Sequence, residues 1–175
     1  MRKAATLLGV LAAALTAACS SMTTAVDYDH TINWSKYRTF QVETGTPAPT
    51  TFTQKRIDNA IASALTSKGW QAVTSNPSIV VYPHVILSEQ TQLNTMNMGG
   101  FGYRGWGGMG GMATTTVQKI PMGTLVIDLV DPATKEMVWR GSATDQVSGS
   151  GSDQGKLDEA MQKLFENFPP GSGSK

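Results

Sequence analysis

Apolar and polar positions along the chain fall into runs of clearly different period. After Met1, Arg2 and Lys3, residues 4–15 form an apolar stretch without a charge. A bilayer span needs about 20 apolar residues, so this run has the length of a signal-peptide core rather than of a transmembrane helix. Beyond it, β-branched and aromatic residues at 23–28 and 37–42 predict two strands, with a turn or irregular crossing at 29–36. Gly45, Pro47 and Pro49 make 45–50 a loop.

A helix is expected from Thr51, where Thr51 and Gln54 have capping-box spacing and Ile57, Ala60, Ile61, Ala64 and Leu65 recur at helical intervals. Gly69 suits the position just past its end, and 70–73 reads as a short strand. Residues 79–93 carry the longest strand signal, with apolar residues on both faces near its start. Pro83 within it argues for an edge position or a bulge. Two further strands are expected at 114–120 and 123–131, then a turn at 131–135 and a returning strand at 136–147. A Ser/Gly segment at 148–155 precedes a second helix, whose stripe is Leu157, Met161, Leu164, Phe165 and Phe168. Pro169 and Pro170 end it.

Each helix has one apolar stripe, so each must cover a sheet rather than sit inside a core. The expected fold is α+β: a mostly antiparallel sheet of about six or seven strands, two amphipathic helices packed on one face, and a Gly-rich loop insertion at 94–112. The expected organisation is a signal peptide at 1–18, a modified N-terminus and short tether at 19–22, one domain at 23–168 and a polar, disordered tail at 169–175.

Composition narrows the function classes. The 175 residues carry 14 Lys and Arg against 13 Asp and Glu, a formal charge of +1, so no basic stripe for nucleic acid is expected. Only 15% of residues are charged, whereas Ser and Thr number 35, so the polar surface is largely uncharged. The one cysteine, Cys19, cannot make an intramolecular disulfide or a Cys-rich metal site. It follows Leu15-Thr16-Ala17-Ala18, an arrangement that resembles a bacterial lipobox, with Thr16 in the usual aliphatic place. The resemblance implies cleavage before Cys19, diacylglyceryl modification of its sulfur and acylation of its new amino group. Two or three acyl chains hold a protein at a membrane, and Ser20 in place of Asp favours outer-membrane sorting. Loss of Arg2 and Lys3 would take the charge to −1 (12 basic against 13 acidic residues). An ordinary secretory signal with a chance cysteine is the alternative.

The order of the elements is familiar as well. Val26-Asp27-Tyr28-Asp29, Tyr37-Arg38-Thr39-Phe40, Arg56-Ile57 and Lys68-Gly69 come first. The run from Gly123-Thr124-Leu125 to Asp131, then Val138-Trp139-Arg140-Gly141 and Phe165-Glu166-Asn167-Phe168-Pro169-Pro170, follow. Together they resemble the bacterial lipoproteins grouped as domain of unknown function 4136. The resemblance implies a lipid-anchored, periplasm-facing domain with a Gly- and aromatic-rich insertion, and it implies no reaction.

Candidate chemistry is sparse. Between Gly99 and Gly111 eight of thirteen residues are glycine, interleaved with Phe101, Tyr103 and Trp106. No phosphate-loop spacing is present. Met96, Met98, Met109 and Met112 could supply four soft thioethers to Cu(I); the alternative is a flexible or partner-docking loop. Its extra closure entropy over a four-residue turn is only about 1.4 kcal/mol. Asp128 and Arg140 lie on the two arms of the Pro132 hairpin and are expected to pair across it as a structural contact. His30 and His84 stand far apart in sequence, no nucleophile elbow or zinc motif is present, and Asp27 and Asp29 read as turn-capping acids. The sequence therefore predicts a non-enzymatic module without a cofactor. Its expected partners are the membrane, through acyl chains, and an envelope protein; a small-ligand or metal carrier is the alternative.

Overall fold

A computed structural model describes residues 22–97, 113–147 and 153–170 of the chain. Among these residues six strands form one sheet: β1 (Thr23–Tyr28), β2 (Thr39–Val42), β3 (Gln71–Ala72), β4 (Ile79–Asn97), β5 (Ala113–Asp131) and β6 (Glu136–Gln146). Their order across the sheet is β1-β6-β5-β4-β2-β3. β1, β6, β5 and β4 are antiparallel neighbours, and β2 runs parallel to both β4 and β3. Two helices, α1 (Thr51–Ser67) and α2 (Gln154–Leu164), cover one face, and a 3-10 turn, Trp34–Lys36, links β1 to β2. The α+β expectation holds, with six strands.

The core lies between that face and the helices. Ile57, Ile61 and Leu65 of α1 and Ala160, Met161 and Leu164 of α2 pack on Val81, Ile127, Leu129 and Trp139 of the sheet. Burying side chains such as Ile61 and Leu65, both 0% exposed, contributes about 1.5–3 kcal/mol each. One end of the core is aromatic: Phe168 meets Trp34, Trp70, Trp139 and Phe165 at centroid distances of 5.8, 5.1, 5.7 and 5.4 Å.

Several boundaries differ from the expected ones. The cap of α1 is Thr50, whose side chain accepts from Thr53 N, while Gln54 Oε1 accepts from Ala48 N. Thr51 is thus the first helical residue rather than the cap. α2 ends at Leu164; Phe165 is its C-cap, and Phe165 and Phe168 reach the core from the following turn. β2 begins at Thr39 rather than at Tyr37.

The largest correction concerns β4 and β5. The two strands expected at 114–120 and 123–131 are one, and the loop expected at 94–112 loses its first four residues, because 94–97 pair with 113–116. The β4–β5 register runs unbroken from Val80↔Val130 to Asn97↔Ala113. Both prolines are harmless to this ladder. In an antiparallel strand a residue's N–H and C=O point to the same side. Val147 N donates to Pro121 O, and Val85 N donates to Thr46 O, so Pro121 and Pro83 turn their backbone polar sides away from the β4–β5 pairing. β6 stops opposite Met122 and β2 opposite Val81. Past Pro121, whose carbonyl still accepts from Val147, the pair continues among the described residues as a two-stranded arm, about 30 Å long at the usual rise per residue.

Candidate functional site

The sheet face opposite the helices carries a row of polar side chains, because alternation turns every second residue outward. The register sets Asp27, Arg140, Asp128 and Tyr82 side by side on β1, β6, β5 and β4. Asp128 is only 7% exposed, and Arg140 covers it with a two-pronged contact. Nε donates to Oδ1 and Nη2 to Oδ2, both at 2.6 Å. The hydrogen bonds and charge of Asp128 raise the Arg140 pKa against a smaller opposing effect of burial. The expected cross-strand pair is thus present, in the directly opposed register.

His84 extends this pair. Its Nε2 lies 3.5 Å from Asp128 Oδ2, while Nδ1 accepts from Thr46 N at 2.9 Å and stands 3.0 Å from Thr46 Oγ1. Gly45 makes the approach possible, since a Cβ there would stand 2.7 Å from His84 Cε1. Hydroxyl, imidazole and carboxylate occur here in the order of a nucleophilic triad, with the Thr46 backbone as well as its hydroxyl at Nδ1. The Nδ1 lone pair is engaged by a backbone N–H, and Arg140 donates to each Asp128 oxygen, which leaves lone pairs on Oδ2 facing His84. The set acts as a clamp that fixes the 45–46 loop on β4. Sequence inspection missed it because 38 positions separate Thr46 from His84 and only the register brings Asp128 alongside.

A second cluster closes the far end of β5. Tyr37 Oη donates to Asp131 Oδ2 at 2.7 Å, Lys36 Nζ lies 3.2 Å from the same oxygen, and Ala133 N donates to Oδ1 at 2.9 Å. Burial alone would raise the Asp131 pKa; the hydrogen bonds from Tyr37, Ala133 and Lys36 outweigh it and hold the carboxyl below its ordinary value.

The helix-covered face contains a cleft of about 330 Å³ at the base of the arm, between the sheet and the N-terminal halves of α1 and α2. Ile57, Val85, Leu125 and Leu157 form its apolar walls, and Met22 borders it. It lies on the opposite side of the sheet from the His84–Asp128–Arg140 row.

Among the described residues Asp27, Asp29 and His30 make local contacts. Asp29 accepts from Thr31 N and Oγ1 at 2.8 and 2.7 Å, which lowers its pKa, and Asp27 Oδ1 accepts from Tyr28 N. His30 packs on the Tyr28 ring at 4.3 Å. Met96 lies on β4 with its backbone opposite Thr114, whereas Cys19, Met98, Met109 and Met112 fall outside the described residues. Among the described residues no three His, Cys, Asp or Glu side chains converge as a metal site, and no helix is long and apolar enough to cross a membrane.

Residues 24–170, from the first strand through the proline pair, match the family model described as a domain of unknown function, DUF4136. The chain belongs to the DUF4136 family. No curated protein is significantly similar to it. Solved structures share the DUF4136 fold at low identity. A PDZ domain protein from Parabacteroides distasonis has a TM-score of 0.55 at 12% identity, covering 85% of this chain. This chain spans only 35% of that protein's length. A PelC dodecamer from Paraburkholderia phytofirmans has a TM-score of 0.50 at 11% identity, covering 82% of this chain and 94% of that one.

Proposed function

We propose that the protein is a lipid-anchored lipoprotein of the outer membrane, facing the periplasm and working as a non-enzymatic interaction module. The observation that carries this reading is the disposition of one end of the domain. Cys19, in its lipobox-like setting, precedes Met22 by three residues, and β1 starts at Thr23 opposite Thr144. At about 3.3–3.6 Å per residue such a tether reaches little over 10 Å. The β4–β5 arm rises from the same end and extends about 30 Å, so a domain anchored at Cys19 brings its arm to the membrane surface. Beyond the bonds of Val147 to Pro121 and of Val85 to Thr46, the arm's outer edges carry, among the described residues, backbone groups without strand partners, which suits pairing with an envelope protein. That PelC, a protein with this fold, forms a dodecamer agrees with an assembling role.

The experiment is metabolic labelling with an alkynyl palmitate, followed by separation of inner and outer membranes. The wild-type chain should carry label in the outer-membrane fraction, and Cys19→Ser should carry none. Label that persists in Cys19→Ser, or an unlabelled wild type, overturns the reading. The cleft at the base of the arm favours a second reading as a small-ligand carrier, and a ligand retained by the purified protein in native mass spectrometry would support it.

A further inference from the structure

We propose that the cleft between the sheet and the N-terminal halves of α1 and α2 binds one long aliphatic acyl chain. The nearest source of such a chain rests on the lipid-anchor reading above. Three observations lead to this ligand class.

The cleft exists because small residues stand where a core would ordinarily be filled. Ala143 on the sheet and Ala160 on α2 border a volume of about 330 Å³, within the range of small-molecule sites, while the space over Gly123 is taken by Val147, whose Cγ1 would stand 2.6 Å from a Cβ there. Its walls are made by Ile57, Val85, Leu125 and Leu157, so the interior rewards apolar surface.

The charged groups that line the cleft are already engaged, Arg56 lying over the Phe52 ring at 5.1 Å. Lys156 Nζ lies 2.8 Å from Asp145 Oδ2 and donates to Gln146 O, and Asp153 caps α2 through Gly155 N. A polar ligand would lose its hydration against the apolar walls with little to replace it, whereas a hydrocarbon chain has no such loss.

The third observation is position. Met22 borders the cleft, so an acyl group on Cys19, three residues earlier, starts within about 10 Å of the mouth. Leu87, 56% exposed, carries the apolar surface outward along the arm to where membrane lipid would stand. An open apolar cleft in water is a liability, and beside a membrane the hydrocarbon that relieves it is an acyl chain.

The test uses the full chain in its own envelope. Cells are fed a palmitate analogue bearing a diazirine and an alkyne, irradiated, and the cross-linked residues mapped by mass spectrometry. Cross-links should fall on the cleft walls, and Ala160→Trp, which fills the cleft, should reduce them at least tenfold. Leu87→Glu alters an exposed rim residue without touching the core and should reduce them as well. Cys19→Ser separates the sources: lost cleft cross-links identify the protein's own lipid, and retained ones a diffusible membrane lipid. Labelled Cys19 without wall cross-links overturns the inference while leaving the anchor standing. Wall cross-links with unlabelled Cys19 overturn the anchor and leave the cleft as a lipid site. Wall cross-links unchanged by both Ala160→Trp and Leu87→Glu overturn the assignment to this cleft.

Discussion

The indole of Trp139 lies across Gly141, two residues along the same face of β6, and a Cβ at Gly141 would overlap its Cη2. Trp139 is 1% exposed and stacks on Phe165 at a centroid distance of 5.2 Å, so its ring cannot swing away without unpacking the end of the core. The Trp-Arg-Gly triplet thus encodes three tasks in successive residues. Trp139 fills the core, Arg140 turns outward to hold Asp128, and Gly141 leaves room for the ring.

Gly141→Ala is expected to destabilise the domain by about 1–3 kcal/mol through overpacking. In a Trp139→Leu background the same change should cost much less, because the clashing ring is gone. Urea titrations of the four proteins of this double-mutant cycle measure the coupling, and additive effects would contradict the contact.

Arg140→Gln takes both guanidinium hydrogen bonds from the buried Asp128 carboxylate and leaves it the His84 ring, 3.5 Å away. Half of the Arg140 side chain faces solvent, at 50% exposure, which screens the pair. A loss of about 1–2 kcal/mol is expected, with Asp128→Asn losing a similar amount and the double variant less than their sum. Thermal melts at matched ionic strength check this.

The Asp131 cluster makes stability depend on acid. Its pKa is lower in the folded than in the unfolded chain, so its contribution is full above the unfolded value of about 4 and is lost as pH falls through the lower folded value. Asp131→Asn should therefore be less stable than wild type at pH 7, and the gap should narrow below about pH 4. Chemical denaturation at a series of pH values gives the slope, and a gap that widens in acid would refute the sign.

The arm should be dispensable for folding. No described residue between 86 and 122 belongs to the core or packs against it. Replacing residues 89–121 by Asn-Gly joins Ser88 to Met122, a paired position, through a two-residue hairpin turn. The shortened protein should keep its circular dichroism and melt within a few degrees of wild type. A collapse of the melting transition would mean that the arm supports the core.

What was legible in the sequence was local in origin. The helical stripes at Ile57, Ile61 and Leu65 and at Leu157, Met161 and Leu164 state which faces are apolar, and an apolar face has to be buried. Turn residues at 131–135 fix a hairpin, and that hairpin sets Asp128 near Arg140. The gap expected between 120 and 123 has no counterpart in the ladder, which runs through Pro121 without a break. Only the neighbouring ladder shows that Pro121 turns its nitrogen away from β4.

The sequence by itself thus determined the α+β class, the family, the buried stripes and the Asp128–Arg140 pair. Tertiary structure alone decided that β4 and β5 run on as an arm, that Thr46 and His84 join Asp128, and that a cleft remains beside Met22. Each of these depends on contacts between residues dozens of positions apart, where strand register and the places at which neighbouring strands stop settle what meets. No local periodicity encodes those distances.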